Sequence, residues 1–186
     1  MDPTVDRAIS AATTDLLRQR GFARMSMEAV ATAAGVGKPA IYRRYHDKAE
    51  LVASVIQSEL PAFEVPDLGD TRAELWQAVE QGFPADGPGH VGLIGGLIAE
   101  QERHPELIEA FRHSVLLPRR RVGLALIERG QQRGDLRSDI EAMAALDLFA
   151  GPFLARVFAG VDTGPRWRER AFETWWRLMT PERKAP

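Results

Sequence analysis

Apolar residues recur along most of the chain at spacings of three and four positions, which is the period of an amphipathic α-helix. Glycine and proline interrupt this pattern, most clearly over residues 61–70 and 84–89, and mark connections between helices. The pattern therefore predicts an all-α fold of about nine helices. These helices are expected over residues 4–20, 27–34, 38–45, 47–60, 71–83, 90–104, 105–130, 139–159 and 165–179.

Two of the predicted helices are short and lie close together near the N-terminus. Ser26 is the expected N-cap of the first, and Gly35 can adopt the positive φ that follows a helix end. Pro39 suits the first turn of the second, where no N–H is needed. The apolar face of the first helix is formed by Met27, Val30, Ala31 and Ala34. Two short helices joined across such a tight turn have the layout of a helix-turn-helix.

The second helix of this pair has a polar and basic side. Ile41 and Tyr45 are four residues apart and are predicted to point inward. The opposite side and the two helix ends present Lys38, Pro39, Tyr42, Arg43, His46 and Lys48. Donors of this kind suit phosphates and base edges. From this side alone, a DNA-contacting surface and an ordinary solvated helix side are equally good interpretations.

The stretch from Ser26 to Leu51 resembles the DNA-binding signature of the tetracycline-repressor (TetR) family, which reads roughly T-x-x-x-I-A-x-x-A-G-V-S-x-G-T-x-Y-x-H-F-x-x-K-x-x-L. The resemblance covers about the first third of the chain. Gly37, Pro39 and Tyr45 depart from it, replacing the usual serine, glycine and phenylalanine. Glycine is an acceptable N-cap and proline an acceptable first-turn residue, so the predicted helices remain intact. The positions that carry the resemblance are Ser26, Val30, Ala31, Ala34, Gly35, Val36, Lys38, Pro39, Ala40, Ile41, Tyr42, Tyr45, Lys48 and Leu51.

The resemblance implies both an architecture and a function. It implies an N-terminal three-helix helix-turn-helix head, residues 1–48, and a C-terminal helical ligand-binding and dimerisation body, residues 49–186, joined by the helix over 47–60. It also implies a transcriptional regulator, usually a repressor, that binds a palindromic DNA operator as a homodimer and is released by a small-molecule inducer. On these grounds the expected DNA-binding residues are Ser26, Lys38, Pro39, Ala40, Tyr42, Arg43, His46 and Lys48.

The distribution of charge agrees with a head that binds nucleic acid. The chain has 186 residues and a formal net charge of −2 at pH 7, yet residues 18–48 hold seven basic and two acidic side chains. The segments 1–17 and 49–186 are each acidic overall. Binding to a polyanion requires such a basic surface on the part that contacts it.

Other classes of protein and site find little support. The chain has no cysteine, which excludes disulfides and thiolate metal sites, and its start is unlike a signal peptide. No apolar run approaches the roughly 20 residues that span a bilayer, so we expect a cytoplasmic protein. Nucleotide-binding, nucleophile-elbow and zinc-hydrolase motifs are lacking, so neither an enzyme nor a cofactor is expected. Glu100, His104 and His113 form at most a weak metal-site candidate, and surface residues near helix ends are the better interpretation.

The last two predicted helices indicate dimerisation. The helix over 139–159 is apolar on nearly all sides, and the helix over 165–179 carries an aromatic stripe. A chain of this size has few other elements to cover both, whereas pairing with the same helices of a second chain would do so, as the family resemblance also implies. The expected interface residues are Leu146, Phe149, Phe153, Val157, Phe172, Trp175, Trp176 and Met179.

An inducer pocket is expected in the helical body because of the resemblance. Few polar residues accompany its large apolar side chains, which favours an apolar or aromatic ligand. Plain core packing is the alternative role for each candidate, and a ligand-binding helical protein without DNA binding is the rival function. The candidate pocket residues are Trp76, Phe83, Leu93, Leu97, Phe111, Leu116, Phe149 and Phe153.

Overall fold

The computed structural model describes residues 3–60, 62–82 and 95–182, except for the side chains of Val157 and Phe158. Every regular element in these ranges is helical, which confirms the predicted fold class. The chain packs as two compact units, one made of Met1–Pro61 with Gly89–Leu117 and the other of Ala62–Pro88 with Pro118–Pro186. The division of the sequence into 1–48 and 49–186 is a functional one and stays a prediction.

The first helix, α1, spans Pro3–Arg24 and is interrupted at Gly21, whose φ is 71°. Residues with a side chain rarely adopt this conformation, so glycine ends the regular helix where the sequence predicts its end. The chain then makes one further turn, which carries Phe22 and Met25 into the core of the first unit. This turn is absent from the predicted helix because the hydrophobic pattern does not continue through Gly21.

The next two helices form the predicted helix-turn-helix: α2 spans Met27–Ala33 and α3 spans Lys38–Tyr42. The Oγ of Ser26 accepts a hydrogen bond from the Ala29 N–H at 3.1 Å, so Ser26 caps α2 as expected. Gly35 follows α2 with a φ of 66°. The α3 helix is three residues shorter than predicted.

The early end of α3 follows from how the next helix, α4 (Lys48–Glu59), begins. The Asp47 carboxylate accepts from the Glu50 N–H at 2.8 Å, and the Glu50 carboxylate accepts from the His46 N–H at 2.6 Å. This reciprocal pair, similar to a capping box, fixes the chain at residues 46–47 in a non-helical turn.

The core of the first unit lies where α4 packs against α1 and against α6, which spans Pro105–Phe111. Residues 95–100 are also helical, and Leu97 among them joins this core. The members with no exposed surface are Ile9, Val30, Ile41, Leu51, Val52 and Leu107. Most come from α1–α4, so the helix-turn-helix is built into the same core as α4 and α6.

The second unit is built from α5 (Thr71–Gly82), α7 (Leu117–Gln132), α8 (Ala142–Phe158) and α9 (Pro165–Met179), with α7 entering it at Pro118. The bounds of α9 agree with the sequence prediction, whereas α8 begins three residues later than predicted. The buried core members of this unit are Leu75, Val79, Leu126, Ile127, Leu136, Ala145, Phe172, Trp175 and Met179.

A buried carboxylate ties the segment before α5 to α7. Glu74 has no exposed surface, and its oxygens lie 2.7 Å from Nη2 of Arg129 and 3.0 Å from Nη1 of Arg133. The Leu68 N–H also donates to it, at 2.8 Å. Burial raises the pKa of Glu74, but these hydrogen bonds outweigh burial and hold the pKa below its ordinary value.

The predicted helical tract over 105–130 contains a change of helix type. Between α6 and α7 the residues Arg112–Leu116 form a π-helical turn, in which the Leu117 N–H bonds to the Arg112 carbonyl. Pro118 follows directly, and it has no N–H to donate to a carbonyl in the preceding turn. The chain therefore accommodates this proline within a helical tract.

Several predicted features lie outside the described residues. They are Phe83, Leu93, the side chain of Val157, the connection over 84–89 and the start of the helix over 90–104. Within the described part of the chain, no helix is long and apolar enough to cross a membrane.

Candidate nucleic-acid interface

Helix α3 is anchored from one side and open on the other. Ile41 has no exposed surface and fixes α3 in the core of the first unit, next to α2. The turn before α3 is closed by a hydrogen bond from the Val36 N–H to the Ala31 carbonyl at 2.9 Å. The residues of α3 that face away from the core therefore lie on a short helix whose position is fixed by the core and by the preceding turn.

The exposed side of α3 carries most of the predicted DNA-binding residues. Tyr42 is 45% exposed, although it is a large aromatic residue, and Ala40 is half-buried. The other predicted residues that are exposed on or beside this helix are Ser26, Lys38, Pro39, Arg43 and His46. We call Lys38, Pro39, Tyr42 and Arg43 the reading face.

Glu28, in the first turn of α2, binds two side chains of the reading face. Its Oε1 lies 2.6 Å from Nζ of Lys38 and accepts a hydrogen bond from the Tyr42 hydroxyl at 3.3 Å. The Lys38 Nζ also lies 5.7 Å from the centre of the Tyr42 ring. The hydrogen bond from Lys38 lowers the pKa of Glu28, and the same bond raises the pKa of Lys38.

Sequence reasoning did not identify Glu28 as part of this surface. In the sequence, Glu28 counts only as one of the two acidic side chains within residues 18–48. The signal that could have found it is its place in the first turn of α2, beside the tight turn that brings the start of α3 alongside.

The basic residues after Lys38 differ in how they are used. Arg43 is exposed and makes no ion pair with any residue that the structure describes, so its guanidinium is available. The Arg44 Nε instead donates to the Asp6 carboxylate at 2.7 Å, and the Arg44 side chain is 12% exposed. Arg44 therefore fastens the end of α3 to α1, and Arg43 belongs to the reading face.

Lys48 points to the end of α1. Its Nζ donates to the Phe22 carbonyl at 2.9 Å and lies 4.1 Å from the centre of the Phe22 ring. Burial lowers the pKa of Lys48, against the opposing charges of Glu106 and Glu100. A phosphate contact by Lys48 stays a prediction, and such a contact would have to compete with these bonds.

The predicted pocket residues are divided between the two units. Leu97 and Phe111 are buried in the core of the first unit, where Leu116 is 39% exposed. In the second unit Trp76 and Phe149 both pack on Phe172, with ring centres 5.2 Å and 6.4 Å apart, while Phe153 lies 6.2 Å from Trp167. Trp76 and Phe149 are therefore brought together around Phe172, and the pocket assignment stays a prediction.

The predicted interface residues also differ in exposure. Phe172, Trp175 and Met179 are buried by their own chain, and the Trp175 Nε1–H donates to the Ala145 carbonyl at 2.9 Å. The partly buried members of the set are Leu146, Phe149, Phe153 and Trp176. Leu148 and Leu178, which are not in the predicted set, are 62% and 64% exposed. Apolar surface is thus open on α8 and α9, and the interface itself stays a prediction.

The titratable groups do not gather into a metal site in the part of the chain that the structure covers: no three or more histidine and carboxylate side chains are grouped there. His104 pairs with Glu106 at 3.1 Å, and the His113 ring lies 3.0 Å from the Glu109 carbonyl. Both histidines thus have neighbours on their own helical segment.

Two family models match the chain. Residues 9–55 match the model described as bacterial regulatory proteins, tetR family. Residues 65–174 match the model described as tetracyclin repressor-like, C-terminal domain. The first match contains α2 and α3 completely, and the second covers more than half of the chain.

Individual relatives agree with these matches. The chain is 29% identical over 164 residues to the uncharacterized HTH-type transcriptional regulator YdeS of Bacillus subtilis (strain 168), which covers 87% of this chain and 82% of the relative. It is 27% identical over 165 residues to the DNA-binding transcriptional repressor TetR of Mycobacteroides abscessus (strain ATCC 19977), which covers 84% of each. Among solved structures, the flavonoid-responsive regulator FrrA has a similar fold, with a TM-score of 0.67 and 22% identity over 98% of this chain and 100% of that one.

Proposed function

Because the chain belongs to the TetR family of DNA-binding transcriptional regulators, we propose that it is a repressor that binds a palindromic operator as a homodimer. A small-molecule inducer would release it from the DNA. The single observation that carries the proposal is the reading face, where Lys38, Tyr42 and Arg43 stand exposed on a helix fixed by Ile41.

We assign the roles of these residues from their chemistry and position. Helix α3 enters the major groove, where its first turn, Lys38 to Ala40, approaches base edges. Arg43 contacts a guanine or a phosphate, because its guanidinium is exposed and unpaired within the described chain. Tyr42 contacts a phosphate. Ser26, at the start of α2, holds the DNA backbone across the groove.

His46 and Lys48 lie at the edge of this surface. His46 is exposed in the turn between α3 and α4, so its ring can approach a phosphate. Lys48 would reach DNA only by giving up part of its contact with Phe22. We therefore place the main contacts on Lys38 to Arg43 and treat these two as peripheral, within a DNA-binding head of residues 1–48.

The dimer would form through α8 and α9. The exposed leucines Leu148 and Leu178 support this, because large apolar side chains that are open in one chain become covered when a second chain packs on them. Two heads related by a twofold axis would read two half-sites of a palindrome.

The inducer would act on the body formed by residues 49–186. It would favour a dimer in which the spacing of the two heads no longer matches successive major grooves, and DNA would be released by a shift of populations. The aromatic residues Trp76, Phe149 and Phe153 support an apolar or aromatic ligand. The flavonoid-responsive neighbour supports it as well, since a regulator of this fold responds to an aromatic compound.

The test is to select sequences from a pool of random duplex DNA with the purified protein at two salt concentrations. Sedimentation of the protein–DNA complex then gives the number of chains bound per duplex. We expect enrichment of a palindrome, two chains per duplex, and affinity that falls steeply as salt rises. Salt-sensitive binding without an enriched sequence would leave only a basic surface and contradict the proposed operator. No binding would favour a helical ligand-binding protein.

A further inference from the structure

We propose that Glu28 is a positioning residue of the reading face, which restrains Lys38 and thereby weakens binding to DNA of the wrong sequence. This inference rests on the proposed function. It adds an acidic residue of α2 to a surface that was otherwise assigned from its basic and aromatic groups.

The geometry that supports this role is the contact of one carboxylate with two residues of α3. The Oε1 of Glu28 lies 2.6 Å from the Lys38 ammonium and 3.3 Å from the Tyr42 hydroxyl. The Glu28 and Lys38 side chains are 50% and 60% exposed, so the pair lies on the surface that is offered to DNA. Glu28 therefore fixes where Lys38 and Tyr42 point when no DNA is bound.

Glu28 is itself held in place by its position in α2. Glu28 lies in the first turn, where a negative charge interacts favourably with the helix dipole. The backbone carbonyl of Glu28 accepts a hydrogen bond from the Thr32 hydroxyl at 2.9 Å. The lowered pKa of Glu28 and the raised pKa of Lys38 agree with a charged pair near neutral pH.

The pair affects DNA binding through its charge. Sequence-independent binding draws its free energy from cations that neutralise phosphates and release counterions. While Lys38 is paired with Glu28, the two side chains together carry no net charge. Lys38 therefore contributes little to the free energy of sequence-independent binding until the pair is broken. At the operator, Lys38 and Tyr42 are already oriented, and contacts with the bases compensate for any loss of the pair. Glu28 thus lowers affinity for non-operator DNA more than for the operator.

The experiment measures affinity against salt concentration for the selected operator and for a scrambled duplex, using fluorescence anisotropy of the full chain. The variants are Glu28→Gln, Lys38→Gln, the double variant, and Asp15→Asn, which removes an exposed carboxylate from α1 as a control for net charge. Glu28→Gln should bind scrambled DNA about three- to tenfold more tightly. Its salt slope on that DNA should steepen by about one. Its ratio of operator to scrambled affinity should fall.

The double variant separates positioning from a merely structural effect. If Glu28 acts through Lys38, the Glu28→Gln change should have little effect on the slope or the affinity ratio once Lys38 is absent. Helical circular dichroism checks that each variant is folded.

Three results would overturn the inference. They are an unchanged slope in Glu28→Gln, an equal change in Asp15→Asn, and an equal effect of Glu28→Gln with and without Lys38. If the unaltered protein failed to bind any duplex, the proposed function would fall and this inference with it.

Discussion

The ammonium of Lys48 lies 4.1 Å from the centre of the Phe22 ring, and it donates a hydrogen bond to the carbonyl of the same residue at 2.9 Å. One side chain at the start of α4 thus closes the end of α1. A basic residue that the sequence predicts as a DNA contact therefore lies against the end of α1.

This contact predicts that Lys48→Met lowers the free energy of unfolding by about 1–2 kcal/mol, because a charged hydrogen bond and a cation–π contact are lost. The matched control is Lys38→Met, which should leave stability nearly unchanged and weaken DNA binding. Urea denaturation and operator anisotropy measure the two effects. A Lys48→Met protein of normal stability but poor DNA affinity would show that the ammonium serves DNA.

The buried cluster around Glu74 predicts a larger loss of stability. In Glu74→Gln the half-buried Arg129 and Arg133 lose the buried carboxylate that both contact, while Arg133 keeps its pair with Asp67. The loss of charged hydrogen bonds to this buried acid should cost about 2–3 kcal/mol. Denaturation in urea measures the loss, and Glu173→Gln, which removes an exposed partner of Arg72, is the control that should change stability little.

The same cluster predicts a pH dependence. Because the pKa of Glu74 in the folded protein is below its ordinary value of 4.5, its contribution to stability is present above that pH. The contribution is lost as the pH falls through the lower, folded value. The free energy of unfolding should therefore decline below about pH 4.5. The free energy of unfolding of the Glu74→Gln variant should decline less steeply over the same pH range. Parallel curves of unfolding free energy against pH for the two proteins would contradict this assignment.

Gly130 predicts a steric effect in α7. A Cβ at this position would lie 2.5 Å from Cγ2 of Thr71 and 2.8 Å from Cδ1 of Leu136. We expect Gly130→Ala to be destabilised by about 1–2 kcal/mol, since overpacking exceeds the gain in helix propensity. In Gly123→Ala the atom nearest to the new Cβ is Cδ1 at the flexible end of Leu146. Thermal unfolding should therefore show a much smaller loss of stability for Gly123→Ala than for Gly130→Ala.

Local signals account for the parts of the fold that the sequence predicts well. Ser26, Gly35 and Pro165 act within a few residues of themselves, so the ends of α2 and the start of α9 can be read from the chain alone. The continuation of α1 past Gly21 could not, because it depends on the burial of Phe22 by other helices.

In the candidate site, too, the sequence predicts local features but not contacts between helices. The reading face follows from helical spacing, since residues opposite Ile41 must be exposed. The inward turn of Lys48 and the pairing of Glu28 with Lys38 depend on contacts between helices, which spacing along one helix does not specify. Phe172, Trp175 and Met179 likewise find cover in their own chain, from α5, α7 and α8, which hydrophobic periodicity could not distinguish from cover by a partner.

The most direct test of the central claim, that the exposed side of α3 reads DNA, compares Arg43→Ala with Arg121→Ala. Both arginines are exposed and unpaired within the described residues, but Arg121 lies on α7 in the second unit. Anisotropy with the selected operator should show at least a tenfold loss of affinity for Arg43→Ala, with relaxed sequence preference if it contacts a base, and no change for Arg121→Ala. Equal affinities for the two variants and the unaltered protein would contradict the account.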